Sequence, residues 1–231
     1  MKPITAFLPC RKGSQRIPNK NLRPFAQYEF GLLQIKIAQL AQCHLIKEII
    51  VSTNDENVKA VVLNFKNAFD GISIIIDDRP DHLGTSDTST DEVISYVGDK
   101  FEFEHLLWTH VTSPFVDTED YVKCIEHYFS ALEQGHDSLM TVQTIKGFIW
   151  NQTRPINYDK LSEKWPRTQT LSPLFEVDSA AFIAPKSVYN THNDRIGLKP
   201  FLLDLEKEVN IDIDWPKQFN LAECIFKIEN A

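Results

Sequence analysis

The chain has 231 residues, 42% of them hydrophobic and 24% charged, which supplies enough apolar material for one packed domain and excludes a globally disordered protein. Its 24 Lys and Arg residues against 32 Asp and Glu residues give a formal net charge of −8, so we expect no general binding of nucleic acid. No stretch approaches the roughly 18 apolar residues of a membrane span, and the N-terminal apolar run is too short for a signal peptide. We therefore expect a cytoplasmic protein with no membrane contact and with reduced cysteines.

Predicted strands and helices alternate from the start of the chain. Residues 4–9 are a short apolar run typical of a buried strand, and apolar residues at helical spacing follow Glu29. Further strands are predicted at 46–53, 72–76, 105–111 and 137–144. Further helices, each opening at an Asp, Ser or Thr cap, are predicted at 55–65, 89–101 and 117–135. This alternation predicts a mostly parallel sheet with helices on both faces.

The regular pattern weakens between residues 146 and 175. This stretch contains two tryptophans and three prolines with no clean period, and it is too long for an ordinary loop inside a compact domain. We interpret it as an excursion that carries either function or a subunit contact. Beyond it, strands are predicted at 175–185, 201–205 and 209–214, and a last helix at about 215–228.

The loop after the first predicted strand is strongly basic. Residues 11–23 hold five bases and no acid: Arg11, Lys12, Arg16, Lys20 and Arg23. Ligands of α/β sheets bind at the carboxyl ends of strands, so this loop is placed to bind an anion. Its single glycine, Gly13, has Ser14 beside it and fits neither of the common glycine-rich phosphate loops, so long side chains must supplement backbone amides. The alternative is a solvated basic turn.

A pair of acids near the end of the chain suggests a metal site. If 209–214 is a strand, Asp212 and Asp214 point to the same face and repel each other unless a cation lies between them. Mg²⁺, which prefers oxygen ligands, is the most plausible cation. The alternative is that one carboxylate caps the following helix while the other is solvated. An anion site and a divalent metal together indicate a nucleoside triphosphate site.

A hydroxyl-rich loop, 84–90, follows Arg79 and leads into a predicted helix. Its hydroxyls and backbone groups could read the edge of a nucleotide base. An N-cap with a flexible polar approach explains the same residues equally well.

The motif RKGSQRIPNKN at 11–21 resembles the signature of the acylneuraminate cytidylyltransferases, the CMP-nonulosonate synthetases, roughly R-x-G-S-[KR]-x-[IL]-P-x-K-N. The Arg79 loop, the Thr112-Ser113-Pro114 turn and residues 212–223 follow in the order and spacing of that family, so the resemblance covers essentially the whole chain. It implies one domain over 1–231 with a three-layer, Rossmann-like nucleotidyltransferase fold. It also implies a homodimer in which 146–175 is a small dimerisation arm.

The resemblance implies that CMP is joined from CTP to a 2-keto-3-deoxy sugar acid, such as a sialic, pseudaminic or legionaminic acid, with release of pyrophosphate. The implied nucleotide-binding residues are Arg11, Gly13, Ser14, Arg16, Lys20, Asn21, Arg79, Thr88 and Thr90. The implied catalytic residues are Arg11, Lys20 and Asp212, and the implied Mg²⁺ ligands are Asp212 and Asp214. The implied acceptor-binding residues are His110, Ser113, Arg167, Asp178 and Phe182. The sequence names no general base for the acceptor hydroxyl; a pKa of that hydroxyl lowered by the metal, or Asp212 acting through it, are both open.

The chain departs from the family pattern at several site positions. The usual Lys is Gln15, so either Arg16 supplies the charge or the triphosphate is held less tightly. His110, Asp178 and Phe182 replace the usual Gln, Asn and Tyr where the acceptor is expected, which favours an acid other than plain N-acetylneuraminate. His110 as a core histidine, or an Asp178 that points away from the pocket, are the alternatives. A deoxyoctulosonate or non-sugar acceptor, and a non-catalytic nucleotide-binding domain, also remain open.

Overall fold

The computed structural model describes residues 4–66 and 68–229, which form one seven-stranded sheet flanked by six α-helices. The strands are β1 Ile4–Pro9, β2 Ile46–Thr53, β3 Ser73–Asp78, β4 His105–Trp108, β5 Ser138–Ile145, β6 Leu174–Pro185 and β7 Pro200–Asp204. The helices are α1 Gly31–Ala41, α2 Glu56–Phe65, α3 Thr90–Lys100, α4 Thr118–Glu133, α5 Lys186–His192 and α6 Pro216–Glu229. None of these helices has the length and apolar character of a membrane span.

The strand order in the sheet is β3-β2-β1-β4-β6-β5-β7. Strands β3, β2, β1 and β4 run parallel to one another, β6 runs antiparallel to both β4 and β5, and β7 is parallel to β5. The predicted mostly parallel sheet is therefore confirmed. The chain moves outward from β1 to β3 and then returns to β4 on the other side of β1. This reversal makes the carboxyl ends of β1 and β4 the switch point at which open α/β sheets bind ligands.

Helices cover both faces of the sheet, as the alternation predicted. Successive β1 side chains face opposite sides, so Ala6 and Leu8 pack into one core while Phe7 packs into another. The first core includes apolar residues of α1, α2, α4 and α6, and the second includes those of α3 and α5. Two cores on one sheet give the expected three-layer α/β fold.

Capping side chains stabilise the first turns of α2, α3 and α4, where the sequence predicted helices to start. Asp55 accepts a hydrogen bond from the second backbone N–H that follows it, at the start of α2. Reciprocal capping boxes open the next two helices, Ser89 with Glu92 at α3 and Asp117 with Asp120 at α4. These contacts satisfy backbone donors that a helix start leaves unpaired, which explains why the sequence located these helices well.

The prediction of a strand at 209–214 is wrong. No residue of this segment lies in the sheet, and β4 ends at Trp108 rather than at 111. The segment instead crosses the end of β4, where the backbone N–H of Ile213 donates to the Thr112 carbonyl at 2.9 Å. A tertiary contact of buried Ile213, rather than strand pairing, therefore positions the neighbouring acids. Helix α5 was not predicted either.

The excursion at 146–175 is a folded arm built around Asn157. This side chain is 2% exposed, accepts from the Ile149 N–H at 3.0 Å and donates to the Gly147 carbonyl at 2.8 Å. Its own carbonyl accepts from the Ser172 N–H, so one residue joins both ends of the arm. An isolated bridge between residues 150 and 155 closes the tip.

Candidate active site

Four segments that carry the sequence motifs meet in one cleft at the carboxyl ends of β1 and β4. The cleft has a volume of about 640 Å³. Its walls come from the basic loop after β1, the 84–90 loop, the residues after β4 and the segment before α6. The predicted site residues that line it are Arg11, Ser14, Arg16, Lys20, Asn21, Thr90, His110, Asp212 and Asp214. Predicted phosphate-binding and metal-binding residues thus share one cavity at the switch point.

The start of the basic loop is held by its own backbone and by β2. Gly13 has a φ of +74°, a left-handed conformation that favours glycine, and its carbonyl accepts from the Arg11 guanidinium at 3.1 Å. The Lys12 N–H donates to the Asn54 side chain at 2.9 Å, just beyond β2. Gly13 lines a neighbouring pocket on the other flank of the loop rather than the cleft itself.

The end of the basic loop is fixed against helix α1. Gly31 has a φ of +51°, and a Cβ at this position would approach the Arg23 carbonyl oxygen to 1.9 Å, so only glycine fits. The Asn21 carbonyl accepts from the Leu33 N–H at 3.0 Å inside the helix. Both ends of the loop are therefore anchored, which limits where its cations can lie.

Two loop cations converge on Asp214. Lys20 Nζ donates to the Ile213 carbonyl at 2.7 Å and lies 3.3 Å from Asp214 Oδ1. The Arg16 guanidinium lies 3.2 Å from the same oxygen and 4.9 Å from the Trp215 ring centroid. Burial lowers the pKa of Lys20, and the neighbouring Asp214 opposes this shift. The loop after β1 and the segment before α6 are thus joined by charge, and Arg16 supplies a cation in the cleft beside Gln15.

Asp212 has the features expected of a metal ligand. Its Oδ1 atom is buried and has no hydrogen-bond partner among the residues that the structure describes. Burial raises the pKa of Asp212; a hydrogen bond from the Thr112 side chain opposes this shift, and the nearby Asp214 carboxylate adds to it. An unpartnered carboxylate oxygen with a second carboxylate nearby suits a hard cation.

Two carboxylates leave most of the coordination positions of a divalent cation to other oxygens. Within 4–66 and 68–229, no group of three or more His, Cys, Asp or Glu residues could hold a metal. Mg²⁺ commonly takes only one or two carboxylates and completes its shell with phosphate and water oxygens. The two acids fit that mode, and a Mg²⁺ site here stays a prediction.

The end of β4 brings His110 beside a cation that the sequence analysis missed. His110 Nε2 lies 3.4 Å from the guanidinium of Arg195, a residue in the loop after α5. Burial, with Arg195 as the next cause, lowers the pKa of His110 to about 3, so the ring is neutral near pH 7. The hydrophobic pattern of the sequence does not single out Arg195, because tertiary packing sets its position.

Two predicted acceptor residues on β6 are mostly buried and are not among the residues that line the cleft, although Asp178 lines a neighbouring pocket that shares Asp212. Phe182 is 4% exposed and lies in the core beneath α3 and α5. Asp178 is 8% exposed, and its two oxygens accept from the Thr141 hydroxyl, the Ala180 N–H and the Asn210 side chain. Their direct contact with an acceptor stays a prediction.

The remaining predicted residues also lie outside the cleft lining. Arg79 is buried, and its guanidinium donates to the Ser52 hydroxyl and carbonyl, each at 2.9 Å. The Thr88 hydroxyl donates to a backbone carbonyl inside its own loop. Ser113 is buried just beyond β4, and Arg167 is exposed in the arm. Their contacts with substrate stay predictions.

A buried lysine of α1 holds the turn that follows β4 and was missed by the sequence analysis. Lys36 Nζ donates to the carbonyls of Ser113 and Val116, at 2.8 and 3.0 Å, and to the Tyr121 hydroxyl at 2.8 Å. These bonds fix the turn that follows the cleft-lining residues after β4. A signal was present, because Lys36 interrupts an otherwise apolar helix face.

Comparisons with known proteins agree with the geometry. A family model described as cytidylyltransferase matches residues 5–178. The N-acylneuraminate cytidylyltransferase of Streptococcus agalactiae is 26% identical over 230 residues, covering 95% of this chain and 52% of that protein. The chain thus spans about half the length of this relative. The CMP-N,N'-diacetyllegionaminic acid synthase of Legionella pneumophila is 27% identical over 246 residues, covering 97% of each chain.

A solved structure shares the fold. It is that of a CMP:2-keto-3-deoxy-manno-octonic acid synthetase complexed with CTP, and it superposes with a TM-score of 0.67. The match covers 99% of this chain and 100% of that one at 14% identity, which shows the likeness of fold alone.

Proposed function

The chain belongs to the cytidylyltransferase family, and we propose that it joins CMP from CTP to a 2-keto-3-deoxy sugar acid of the nonulosonate class and releases pyrophosphate. The observation that carries the proposal is the convergence of Lys20 and Arg16 on Asp214 beside Asp212, in one cleft at the switch point. Cations for phosphates and carboxylates for a divalent metal are what nucleotidyl transfer from a triphosphate needs. The names of the sialate and legionaminate relatives support the acceptor class.

In the proposed reaction, the anomeric hydroxyl oxygen of the acid attacks the α-phosphorus of CTP. The bond from this phosphorus to the oxygen shared with the β-phosphate breaks, and pyrophosphate leaves with the electron pair. The hydroxyl proton passes to a carboxylate or to water. Arg11, Arg16 and Lys20 would offset the negative charge of the phosphates. Asp212 and Asp214 would hold Mg²⁺, which supplies Lewis-acid polarisation of phosphate oxygens when it is bound.

The two ends of the cleft are lined by different residues, and this difference supports CTP as the donor. Its lining on the β3 side includes Ser86 and Thr90, from the loop that the family resemblance assigns to cytosine. Arg79 lies behind this wall, where its bonds to Ser52 hold the ends of β2 and β3 together. The opposite wall, at β4 and β6, includes His110 and Ser179. We therefore infer that the base lies toward β3 and the acceptor toward β6.

We propose further that two copies of the chain associate through the 146–175 arm. Leu161, Trp165 and Ile156 are 97%, 67% and 53% exposed, which is a high exposure for three large apolar side chains within ten residues of sequence. Arg167 is exposed in the same arm. A homodimer built on these residues would cover the apolar surface and could present Arg167 to the partner's cleft.

Release of pyrophosphate from CTP and a panel of acids tests the proposal. The panel contains N-acetylneuraminate, pseudaminate, legionaminate, a deoxyoctulosonate and pyruvate, each with Mg²⁺ present or removed by a chelator. We expect turnover with at least one nonulosonate and none with pyruvate. CTP binding without pyrophosphate release from any acid would instead indicate a nucleotide-binding domain.

A further inference from the structure

Strand β6 is irregular where it passes the cleft. Residues 178–181 of β6 all lie opposite a single residue of β5, Thr141, because the register of the two strands shifts there. We call these four residues the β6 bulge. A bulge lets a strand redirect a side chain toward a site, and the bulge residue that lines the cleft is Ser179.

Ser179 is held in a conformation that disfavours a side chain. Its φ of +60° lies in the left-handed region, which glycine adopts freely and a residue with a Cβ adopts at a cost. Its hydroxyl has no hydrogen-bond partner in the part of the chain that the structure describes. Serine is therefore less favourable here than glycine, and no bond of its side chain to the fold offsets the strain. Strained residues of this kind cluster at functional sites, which indicates a use for the hydroxyl in the cleft.

Buried threonines hold the β6 bulge from both neighbouring strands. On the β5 side, the Thr141 hydroxyl accepts from the Ala181 N–H at 2.9 Å. On the β4 side, the Thr109 hydroxyl donates to the Ala180 carbonyl at 2.7 Å. Neither threonine has exposed surface. The backbone that follows Ser179 is thus fixed on two sides.

Asp178 holds the start of the bulge and joins it to the predicted metal ligands. Its Oδ1 accepts from the Ala180 N–H at 3.0 Å, so the carboxylate spans Ser179, and also from the β5 threonine hydroxyl. Its Oδ2 accepts from the Asn210 side chain at 2.7 Å. Asn210 precedes Asp212 by two residues in the segment before α6. The carboxylate therefore fixes Ser179 relative to the acids of the cleft.

We propose that the Ser179 hydroxyl binds an oxygen of the acceptor, and that Asp178 is the positioning residue that holds Ser179 in place. The inference rests on the proposed function and adds two roles within its site. A hydroxyl both donates and accepts, so it suits the hydroxyl and carboxylate oxygens of a sugar acid. Ser179 lies on the wall at β4 and β6, across the cleft from Ser86 and Thr90, so CTP binding should not depend on it. Both oxygens of Asp178 already have partners in the protein, so it acts through the bulge.

Two variants of Ser179 test the binding role. Ser179→Ala removes the hydroxyl, and we expect kcat/KM for the acceptor to fall by about tenfold while the KM for CTP is unchanged. Ser179→Gly should show the same loss, although it should unfold at no lower urea concentration than the wild type because glycine adopts this φ freely. Ser187→Ala, at an exposed position of α5, is the matched control and should leave all values unchanged. An unchanged kcat/KM for the acceptor in Ser179→Ala, or an equal effect on CTP, would overturn the inference.

Two variants of Asp178 separate positioning from direct contact. Asp178→Asn keeps an oxygen for the Ala180 N–H, and Asn210 can turn its amide to keep the other bond, so kcat/KM for the acceptor should stay within about threefold of the wild type. Asp178→Ala should lose about as much as Ser179→Ala, and the double variant should lose no more than either, because both act through one hydroxyl. Asp204→Ala, which removes a β7 carboxylate that also accepts backbone N–H bonds, is the control and should leave acceptor kinetics unchanged.

A loss in Asp178→Asn as large as that in Asp178→Ala, or additive losses in the double variant, would overturn the positioning role. If Asp178→Ala does not fold, Asp178→Asn and the two Ser179 variants still decide the matter. Each of these results would leave the proposed function intact. No pyrophosphate from the wild type with any acid would overturn the proposed function, and the inference with it.

Discussion

Lys20 Nζ donates a hydrogen bond to the Ile213 carbonyl at 2.7 Å, joining residues that are 193 positions apart in the chain. The contact holds the basic loop after β1 against the acids that precede α6. The same ammonium lies 3.3 Å from Asp214 Oδ1, so cation and carboxylate neutralise each other in the protein alone. A triphosphate would compete for the cation and a divalent metal for the carboxylate. The two ligands should therefore favour each other's binding.

The first prediction concerns the acids of this cluster. Asp212→Asn and Asp214→Asn should each nearly abolish turnover, because either change removes a charge needed to hold Mg²⁺ against the phosphates. We expect a loss of about 3 kcal/mol of transition-state stabilisation, the size of other electrostatic deletions. Pyrophosphate release at saturating Mg²⁺ measures it, with circular dichroism to check folding. Glu208→Gln, an exposed acid outside the cleft, is the control, and a near-wild-type rate in either Asp variant would contradict the metal assignment.

The second prediction concerns the nucleotide. We expect kcat/KM for CTP to exceed that for UTP by about a hundredfold or more, because a site that hydrogen-bonds the exocyclic amine strongly rejects a base that lacks it. CTP should also be preferred over ATP and GTP, since purine bases are larger than cytosine and present different hydrogen-bonding edges. The measurement compares initial rates with each nucleotide at a fixed acceptor concentration. Equal rates with CTP and UTP would show that the loop at 84–90 does not read the base.

The third prediction concerns the buried Lys36. Lys36→Met leaves two carbonyls and the Tyr121 hydroxyl without their donor, so the free energy of unfolding should fall by about 2 kcal/mol at pH 7. The KM for the acceptor should rise, because the turn after β4 is no longer fixed. Urea denaturation and acceptor kinetics measure the two effects.

The same lysine gives a pH dependence. Burial lowers the pKa of Lys36 well below its ordinary 10.5 in the folded state. The folded protein therefore binds fewer protons at this group than the unfolded chain between the two pKa values, and its stability rises with pH in that window. The stability difference between wild type and Lys36→Met should accordingly grow from pH 7 to pH 9. A difference that stays constant with pH would show that Lys36 is not destabilised as a cation.

Much of the fold could be predicted because its determinants are local. A short apolar run predicts β1, and the capping residues Asp55 and Ser89 predict the starts of α2 and α3. Each of these signals lies within a few residues of the element that it predicts. The strand wrongly predicted at 209–214 shows the limit of this reasoning. Its alternating residues would suit a strand, but Ile213 is buried by a contact with the turn after β4, which no local pattern records.

The candidate site was predictable where its residues carry charge in a cluster, as Lys20 and Asp212 do. Arg195 was not, because one arginine in a polar loop has no distinguishing pattern. Its position arises only when β6 pairs with β4 and places Phe182 opposite Trp108, which creates the platform on which the guanidinium stacks. The same packing explains why Phe182 is buried, although the family resemblance assigns it to the acceptor pocket.

The fourth prediction concerns the choice of acid. We expect kcat/KM to be higher for a nonulosonate with two nitrogen substituents and a terminal methyl group than for N-acetylneuraminate. His110, Asp178 and Phe182 stand where the family usually has Gln, Asn and Tyr, and these replacements motivate the expectation; of the three, His110 lines the cleft. The two acids are mixed in one competition assay, and the ratio of their CMP-sugar products gives the ratio of their kcat/KM values. A higher kcat/KM for N-acetylneuraminate would contradict the prediction.

The last prediction concerns the arm. The wild type should be a dimer at micromolar concentration, and Leu161→Asp should dissociate it, because a charge at this 97% exposed position would be buried without a partner in the interface. Leu161 is a better test than Trp165, whose ring packs on Phe148 at 5.4 Å and so contributes to the fold of the arm. Light scattering measures the mass. Leu63→Asp, on α2 and 57% exposed, is the matched control and should remain dimeric.

If Arg167 completes the partner's cleft, dissociation should also affect catalysis. The Leu161→Asp monomer should then show a raised KM for the acceptor while its KM for CTP is unchanged, and Arg167→Gln should reproduce that rise within an intact dimer. A dimer whose Arg167→Gln variant binds the acceptor normally would limit the arm to assembly. A wild-type monomer at micromolar concentration would contradict the interface altogether, because the exposed apolar side chains of the arm would then remain in water.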